Sequence, residues 1–301
     1  MKRTLKTRSG VLEFPVFMPV TTFGNAFPLD ELVRPYLTRH TSAMMVSYHY
    51  AQAMKKKPKG ILFIDSGGFA SLFEGSERVD EGDYVSIRTK EGTLITPPEV
   101  LAFQEKHADI GATVDFIIPP DCEKDEAKCR QEATIKNAIW AICNRRKPDF
   151  RLYASVQAWD AESAQYIIQQ LAPYSFDGFA LGGMVPRVKR PDEIIAIVRA
   201  ILAVERERPL HVFGIGNASL ISALIKEGVS SIDSSSWVRN AADGRYINPT
   251  TGTIDDLGTG YESGCNCPLC SRLDTDYLSL EGEANRMALA LHNLCTQIAR
   301  I

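Results

Sequence analysis

The chain has 301 residues, of which 45% are hydrophobic and 24% are charged, and its formal net charge is −3. This composition is that of a folded globular protein, and no apolar run reaches the ~18 residues that a membrane span needs. The slightly negative charge gives no support for a nucleic-acid-binding protein, although a local basic patch would be enough to hold phosphates.

The cysteines and the N-terminal segment indicate the cellular compartment. Seven cysteines are present, and their odd number and uneven spacing do not fit a disulfide framework. The basic segment MKRTLKTRSG is not followed by the apolar core of a signal peptide. We therefore expect a cytoplasmic protein with reduced thiols and no membrane partner.

Short apolar runs alternate with longer stretches of helical periodicity along most of the chain. Uniformly apolar strands that alternate with helices indicate a buried parallel sheet, and about eight such units favour a closed (β/α)₈ TIM barrel. An open, doubly wound sheet is the alternative. The runs taken as strands are Phe14–Met18, Ala43–Ser47, Ile61–Ile64, Asp115–Ile118, Leu152–Val156, Gly178–Leu181, His211–Phe213 and Ser230–Ile232. The helical stretches are Leu29–Arg39, Pro98–Ala108, Glu123–Arg146, Ala161–Leu171, Asp192–Glu205 and Ala218–Glu227.

Two segments interrupt this alternation. Residues 69–97 are expected to form a small β-rich insertion with turns at Glu81-Gly82 and Glu91-Gly92. Residues 246–280 are rich in Gly, Thr, Asp and Cys, and a last helix is predicted from about Leu280 to Ile301. No repeat or linker marks a second domain, so residues 1–301 are expected to form one barrel domain with a metal-binding region at about 246–301.

Three cysteines lie close together in the second interrupting segment. Cys265, Cys267 and Cys270 can wrap one tetrahedral ion, and their polar loop offers no core in which free cysteines would be buried. His292 in the last helix can supply a fourth ligand, and Cys295, one turn further on, is a competitor. Because protein atoms would fill all four positions, we expect a structural zinc ion that joins this loop to the last helix.

Polar residues that directly follow the apolar runs are the main candidates for a functional site, because in such a barrel the chemistry lies at the carboxyl ends of the strands. Asp65 follows one run and leads into Ser66, Gly67, Gly68 and Phe69. Asp233 follows the last run. Taken alone, Asp65 fits a tight turn and Asp233 fits a helix N-cap equally well.

Four further runs end in residues suited to binding a ligand. Asp121 follows two prolines, and Gln157 offers an amide that can donate and accept. Two other runs end in Leu181-Gly182-Gly183 and in Phe213-Gly214. Three carboxylates, one amide and several glycine loops at one face suit covalent chemistry on a flat heterocycle, with Phe69 and Phe213 on its ring faces.

A series of segments, in this order, resembles the tRNA-guanine transglycosylase family from about Phe14 to His292. The segments are FPVFMPV, VSYHY, IDSGGF, TPPEVLAFQ, SVQ, DGFALGG, FGIGN, IDSSSW, CNCPLC and HNL. The resemblance implies a TIM-barrel pentosyltransferase that exchanges guanine in a nucleic acid for a 7-deazaguanine base.

The resemblance also implies roles for individual residues. Asp233 would attack C1′ to give a glycosyl-enzyme ester, and Asp65 would act as general acid and base. Asp121 would accept hydrogen bonds from the N1 and N2 edge of guanine, and Gln157 with the backbone of Gly182 and Gly183 would read the O6 side. Ser66, Gly67, Gly68, Phe69, Leu181 and Phe213 would line the pocket. The implied zinc ligands are Cys265, Cys267, Cys270 and His292.

The resemblance leaves the substrate open. The stretch after Asp233 resembles the archaeal branch, yet the chain stops short of the RNA-binding domains that archaeal relatives carry. A tRNA enzyme, the same chemistry on DNA and a catalytically silent binding subunit are therefore three hypotheses. Both candidate catalytic carboxylates are present, which argues against the third. A homodimer is expected by resemblance.

Candidate phosphate contacts are scattered along the second half of the chain, and a solvated surface charge is the favoured interpretation of each one taken alone. They are Arg187, Lys189, Arg190, Arg239, Arg245 and Arg272. The densest basic run, residues 55–59, lies shortly before Asp65 in sequence and would guide a nucleic-acid backbone only if it lay near the same face.

Overall fold

The chain folds around a closed barrel of eight parallel strands. The computed structural model describes residues 3–256, 265, 267–272 and 282–301. An antiparallel hairpin, β1 (Thr4–Thr7) and β2 (Gly10–Glu13), precedes the barrel. The barrel strands are β3 (Val16–Thr21), β4 (Ala43–Val46), β5 (Ile61–Ile64), β9 (Ile110–Ala112), β10 (Arg151–Val156), β11 (Gly178–Leu181), β12 (Leu210–Val212) and β13 (Ser231–Ser234). Each strand pairs with the next, and β13 closes on β3, which confirms the predicted TIM barrel.

Side chains from successive strands fill the barrel. The interior cluster includes Met18, Met45, Phe63, Ile110 and Tyr153, all almost fully buried. Such a filled interior is a core and not a pore, as expected for eight strands. Leu12 of the hairpin and Phe14 join the same cluster just before β3, so they cover the barrel at the amino ends of its strands.

Helices form the outer layer. They are α1 (Pro28–Val33), α2 (Tyr48–Ala51), α3 (Pro97–His107), α4 (Lys124–Asn144), α5 (Ala161–Leu171), α6 (Pro191–Val204), α7 (Ala218–Glu227), α8 (Ser236–Ala242) and α9 (Glu283–Ile298). The first predicted helix continues past Val33 only as a 3₁₀ helix, Arg34–Arg39. Pro35 explains the change, because its ring cannot follow an α-helical turn without a clash.

The fourth barrel strand is not where the sequence predicted it. The apolar run Asp115–Ile118 forms no strand, and the chain pairs instead through β9. Gly111 in β9 gives no apolar signal, and a Cβ there would lie 2.6 Å from both Gln104 and Phe150. Phe116 and Ile118 are buried in the loop that follows, so their apolar character reflects loop packing.

The two interrupting segments carry small sheets. The first contains the three-stranded antiparallel sheet of β6 (Glu77–Asp80), β7 (Val85–Arg88) and β8 (Leu94–Ile95), which confirms the β-rich insertion. The second contains the hairpin of β14 (Arg245–Ile247) and β15 (Ile254–Asp256). Helix α9 begins at Glu283, and the predicted start at Leu280 lies outside the described residues.

None of the helices that the structure describes combines the length and the apolar character that a bilayer crossing requires.

Candidate active site

Three carboxylates meet at the carboxyl ends of the barrel strands. Asp65 directly follows β5, Asp115 lies just beyond β9, and Asp233 is part of β13. In a closed parallel barrel these strand ends surround one mouth. The negative charges of Asp115 and Asp233 both act on Asp65. The structure therefore brings the two predicted catalytic carboxylates together and adds a third.

Backbone donors hold the side chain of Asp65. Its Oδ1 accepts hydrogen bonds from the backbone N–H of Tyr48 at 2.7 Å and of Gly67 at 2.9 Å. Gly67 has a φ of +73°, which a glycine adopts without strain and which turns its N–H back to the carboxylate. Burial, reinforced by the two neighbouring negative charges, raises the pKa of Asp65 to about 7, although these N–H donors oppose the rise. A carboxyl group with a pKa near neutrality is suited to give and take a proton.

Gln104 fixes the backbone under Asp65. Its amide Nε2 lies 2.9 Å from the carbonyl oxygen of Asp65, 3.2 Å from that of Ile64 and 2.8 Å from that of Ala112. Gln104 is buried on α3 and thereby joins the ends of β5 and β9. Gln104 lies in the segment TPPEVLAFQ, but no local pattern in the sequence predicts this role for it.

Asp233 is only 4% exposed and lies in a different environment. Its Oδ1 accepts a hydrogen bond from the backbone N–H of Gly214 at 3.0 Å. The same oxygen lies 3.0 Å from Nε2 of His211, a fully buried side chain on β12. His211 was predicted only as the start of a strand. A histidine on an otherwise apolar barrel strand was the signal that could have revealed it.

Asp115 forms a buried hydrogen-bonded group with two predicted pocket residues. Its Oδ1 lies 2.5 Å from Oγ of Ser66, and its Oδ2 lies 2.5 Å from Nε2 of Gln157. Burial raises the pKa of Asp115, and the two hydrogen bonds oppose the rise. A Cβ at Gly68 would overlap Oδ1 of Asp115, and one at Gly182 would overlap Gln157. Both glycines are therefore required by close packing around this group.

Asp121, the predicted base-reading carboxylate, does not belong to this group. It is exposed, beyond the two prolines of the loop. The resemblance implied the base-reading role, and the misplaced fourth strand agreed with it, because a strand that ended at Ile118 would have presented Asp121 at the mouth. The true strand ends at Ala112, so Asp115 takes that position.

The two predicted ring-stacking residues lie in loops that follow β5 and β12. Phe69 is 57% exposed and meets Phe73 edge to face, with ring centroids 5.5 Å apart. Phe213 is half-buried, with its ring centroid 4.7 Å from that of His211. A base held between Phe69 and Phe213 stays a prediction.

The loop after β11 uses much of its backbone internally. The carbonyl of Leu181 accepts a hydrogen bond from Phe213, and the N–H of Gly182 donates to Val156. The carbonyl of Gly183 accepts one from Nη1 of Arg187 at 2.7 Å. The N–H of Gly182 is therefore engaged within the sheet, and the reading of a base by the Gly182–Gly183 backbone stays a prediction.

Arg187 is not a phosphate contact, contrary to the prediction. Its side chain is 1% exposed and donates to the carbonyl oxygens of Gly183 and of Ile118, the latter at 2.9 Å. A buried guanidinium bonded to two carbonyls supports the loops around Asp115 and cannot reach a nucleic-acid backbone. The sequence pattern gave no means of telling this arginine from its exposed neighbours.

Four of the other basic candidates are at the surface, and the side chain of Arg272 lies outside the described part of the structure. Lys189, Arg190, Arg239 and Arg245 are exposed, and Nε of Arg245 lies 3.9 Å from Oδ1 of Asp256. The basic run at residues 55–59 precedes β5, and Nζ of Lys57 lies 2.6 Å from Oδ2 of Asp109, at the amino end of β9. This run therefore lies at the barrel end opposite the mouth.

Three cysteines and one histidine form a group that can hold a metal ion. The ligand atoms of Cys265, Cys267, Cys270 and His292 all lie within 4.8 Å of one another. Nδ1 of His292 faces the sulfurs, because its Nε2 lies 3.0 Å from the carbonyl oxygen of Ile247. The competitor Cys295 is not one of these four, and its Sγ lies 3.4 Å from Nδ1 of His40, although its side chain also contacts Cys267. Three thiols and one imidazole fit a tetrahedral ion.

Helix α9, which carries His292, also contacts the segments next to Asp233. Nε2 of Gln297 donates to the carbonyl of Gly216 at 2.8 Å and to Oγ of Ser236 at 2.6 Å. Nδ2 of Asn293 donates to the carbonyl of Trp237 at 3.2 Å. The metal-binding group is thus connected through one helix to the loops on both sides of the candidate nucleophile.

Comparison with known proteins gives one consistent result. The family model described as queuine tRNA-ribosyltransferase matches residues 3–301. The chain is similar to the tRNA-guanine(15) transglycosylase of Pyrococcus furiosus, with 27% identity over 96% of this chain and 49% of that protein. Its namesake in Korarchaeum cryptofilum is 28% identical over 99% of this chain and 50% of its own length. The chain spans about half the length of these curated relatives.

Proposed function

Since the chain belongs to the queuine tRNA-ribosyltransferase family, we propose that it replaces a guanine in tRNA by a 7-deazaguanine base. The observation that carries the proposal is the pair of unlike carboxylates at the mouth. Asp233 accepts from a backbone N–H and faces an imidazole, as an ionised nucleophile would. Asp65 has a pKa raised to about 7, as a proton-transfer group needs. The relatives named as tRNA-guanine transglycosylases support tRNA as the substrate.

In the first half of the proposed reaction, the carboxylate of Asp233 attacks C1′ of the target guanosine. The bond between C1′ and N9 breaks, its electron pair leaves with guanine, and the carboxyl group of Asp65 protonates the departing base. An ester between Asp233 and the ribose remains. The target nucleotide must be turned out of its stack for C1′ to reach a buried carboxylate.

The second half reverses these steps with a different base. Asp65, now ionised, removes a proton from the incoming 7-deazaguanine. The base nitrogen attacks C1′, the ester bond breaks, and Asp233 regains its negative charge. As in retaining glycosidases, two displacements share one covalent intermediate.

Recognition of the base falls to the buried group around Asp115. The N1–H and N2–H groups of guanine are donors, and an ionised carboxylate is an acceptor with room for several hydrogen bonds. Gln157, hydrogen-bonded to Oδ2 of Asp115, fixes the orientation of the carboxylate and brings an amide next to the base. A 7-deazaguanine presents the same edge, so both bases fit one site.

The metal-binding group supports a structural zinc ion in the proposed enzyme. Cys265, Cys267, Cys270 and His292 would supply all four ligands, so no position is left for substrate or water. The ion would hold α9 in place and take no part in the exchange. By resemblance we also propose that two copies of the chain associate, which sedimentation analysis tests.

The proposal is tested with radiolabelled guanine. We expect label to enter bulk tRNA and not duplex DNA when wild-type protein is added. Asp233→Asn should lower the rate by roughly 10³-fold or more, whereas Asp121→Asn, at an exposed position, should leave it unchanged. Label in DNA alone would overturn the choice of substrate. Full activity of Asp233→Asn would overturn the mechanism.

A further inference from the structure

A histidine lies directly beneath the proposed nucleophile. Nε2 of His211 is 3.0 Å from Oδ1 of Asp233, and Nδ1 of the same ring is 2.8 Å from Oγ of Ser231. We propose that His211 is a positioning residue that holds Oδ1 of Asp233 and aims its second oxygen at C1′. This inference rests on the proposed base exchange and assigns to that site a residue that acts through the nucleophile.

The hydrogen-bond pattern determines where the imidazole proton lies. An ionised carboxylate only accepts hydrogen bonds, so Nε2 of His211 must carry the hydrogen that faces Asp233. In the neutral ring Nδ1 is then an acceptor and takes the hydroxyl hydrogen of Ser231. The result is a chain of donors from Ser231 through His211 to Asp233. Ser231 and Asp233 lie two residues apart on β13 and therefore point to the same side of the strand.

This arrangement distinguishes the two oxygens of Asp233. Oδ1 is engaged by His211 and by the N–H of Gly214, so the attack on C1′ falls to Oδ2. In the covalent intermediate Oδ1 becomes the carbonyl oxygen of the ester. When the ester bond breaks in the second half, negative charge returns to the carboxylate, and two donors are already in place to stabilise it. The contact between His211 and Asp233 thus assists both displacements.

The surroundings of His211 favour this role over simple packing. The ring is fully buried, with its centroid 5.0 Å from that of Phe63 and 4.7 Å from that of Phe213. An apolar side chain would fill the same space without the cost of burying two ring nitrogens. The charge of Asp233 also acts on Asp65, after β5.

The test compares His211→Leu, His211→Gln and the matched control His107→Gln, which lies at the partly exposed end of α3. Labelled-guanine exchange is measured as kcat and KM. We expect His211→Leu to lower kcat by roughly 10²-fold with little change in KM, because the carboxylate of Asp233 has lost a donor that aims it. The glutamine amide extends as far as Nε2, so His211→Gln should recover most of the rate. The control should behave as wild type.

Other outcomes overturn the inference. Wild-type kcat in His211→Leu would do so, as would an equal loss of kcat in the leucine and glutamine variants. If His211→Leu does not fold, His211→Asn replaces it, because the shorter asparagine amide does not extend to Asp233. Equal rates for the Asn and Gln variants would then contradict the positioning role of His211. Absence of exchange in wild-type protein would instead refute the proposed function itself.

Discussion

Asp65 shows how one residue can be both well fixed and poorly solvated. Its two backbone donors favour the ionised form, yet burial and two nearby carboxylates outweigh them and raise its pKa to about 7. Ionised Asp65 is therefore destabilising to the folded state at neutral pH. Such a cost is typical of residues kept for chemistry and not for stability.

The stability of the protein should reflect this cost. Between the ordinary pKa of 3.8 and the raised value of about 7, the folded state binds more protons at Asp65 than the unfolded state does, so stability falls as pH rises. Asp65→Asn removes the charge and keeps an acceptor for both donors. At pH 8 we expect this substitution to raise the free energy of unfolding by about 2 kcal/mol. This is half of the value that the full rise in the pKa of Asp65 implies, because the side chain is partly exposed.

Urea unfolding from pH 8 down to pH 4 measures this effect, with the exposed Asp83→Asn as control. The advantage of Asp65→Asn should shrink as pH falls, because wild-type Asp65 becomes protonated. An advantage that stayed constant with pH would show that the charge of Asp65 is not its source.

Asp115 and Asp121 form a second matched pair for experiment. Asp115→Asn replaces an acceptor by a donor beside Gln157, and we expect kcat/KM for guanine to fall by roughly 10- to 100-fold, the value of one or two hydrogen bonds to a charged group. Asp121→Asn, at the surface, should leave kcat/KM unchanged. The reverse result would restore Asp121 as the base-reading residue.

The same pair shows what the sequence can and cannot predict at the scale of a residue. Asp65, Gln157 and Asp233 were found because each follows an apolar run that is a real strand. Asp115 was overlooked because the apolar residues after it are packed in a loop and were read as the strand. The burial of Arg187 depends on two carbonyls that the fold brings to it, and no local pattern reports such partners.

At the scale of elements, α3 holds the ends of β5 and β9 together through Gln104. Gln104→Leu removes the donor to three carbonyls and leaves them buried without that partner. We expect the free energy of unfolding in urea to fall by about 3 kcal/mol and the exchange rate to fall with it, since Asp65 loses its backbone support. Gln165→Leu, exposed on α5, should change stability by no more than about 0.5 kcal/mol. Similar losses of unfolding free energy in both variants would contradict this role of Gln104.

Some helices and strands were easier to predict from the sequence than others, for physical reasons. Helices α5 and α7 were predicted with the bounds they have, because a periodic apolar face is a local signal. Strand β9 has three residues, one of them glycine, and is held by its two neighbours. Helix α8 begins in a serine-rich segment without apolar periodicity and was not predicted. Its place depends on packing against α9.

At the scale of the whole molecule, the proposed metal ion should stabilise the last helix and, through it, the loops of the candidate site. Removal of the metal by a chelator, or Cys270→Ser, should destabilise the protein by about 5 kcal/mol or more and reduce exchange, because Gln297 loses its position near Ser236. Metal content and thermal unfolding measure this. Cys295→Ser should keep one metal ion per chain, because Cys295 faces His40. Loss of the metal in that variant would show that the fourth ligand has been assigned wrongly.

The pairing of β13 with β3 has a consequence for synthesis of the chain on the ribosome. Asp65 and Asp115 leave the ribosome early. Asp233 belongs to β13, which closes the barrel by pairing with β3, the first barrel strand to be made. Until β13 emerges, β3 and β12 present unpaired backbone edges, which chaperones or neighbouring nascent chains can occupy. A half-made polypeptide can therefore contain Asp65 and Asp115, but it lacks the carboxylate that we propose attacks C1′.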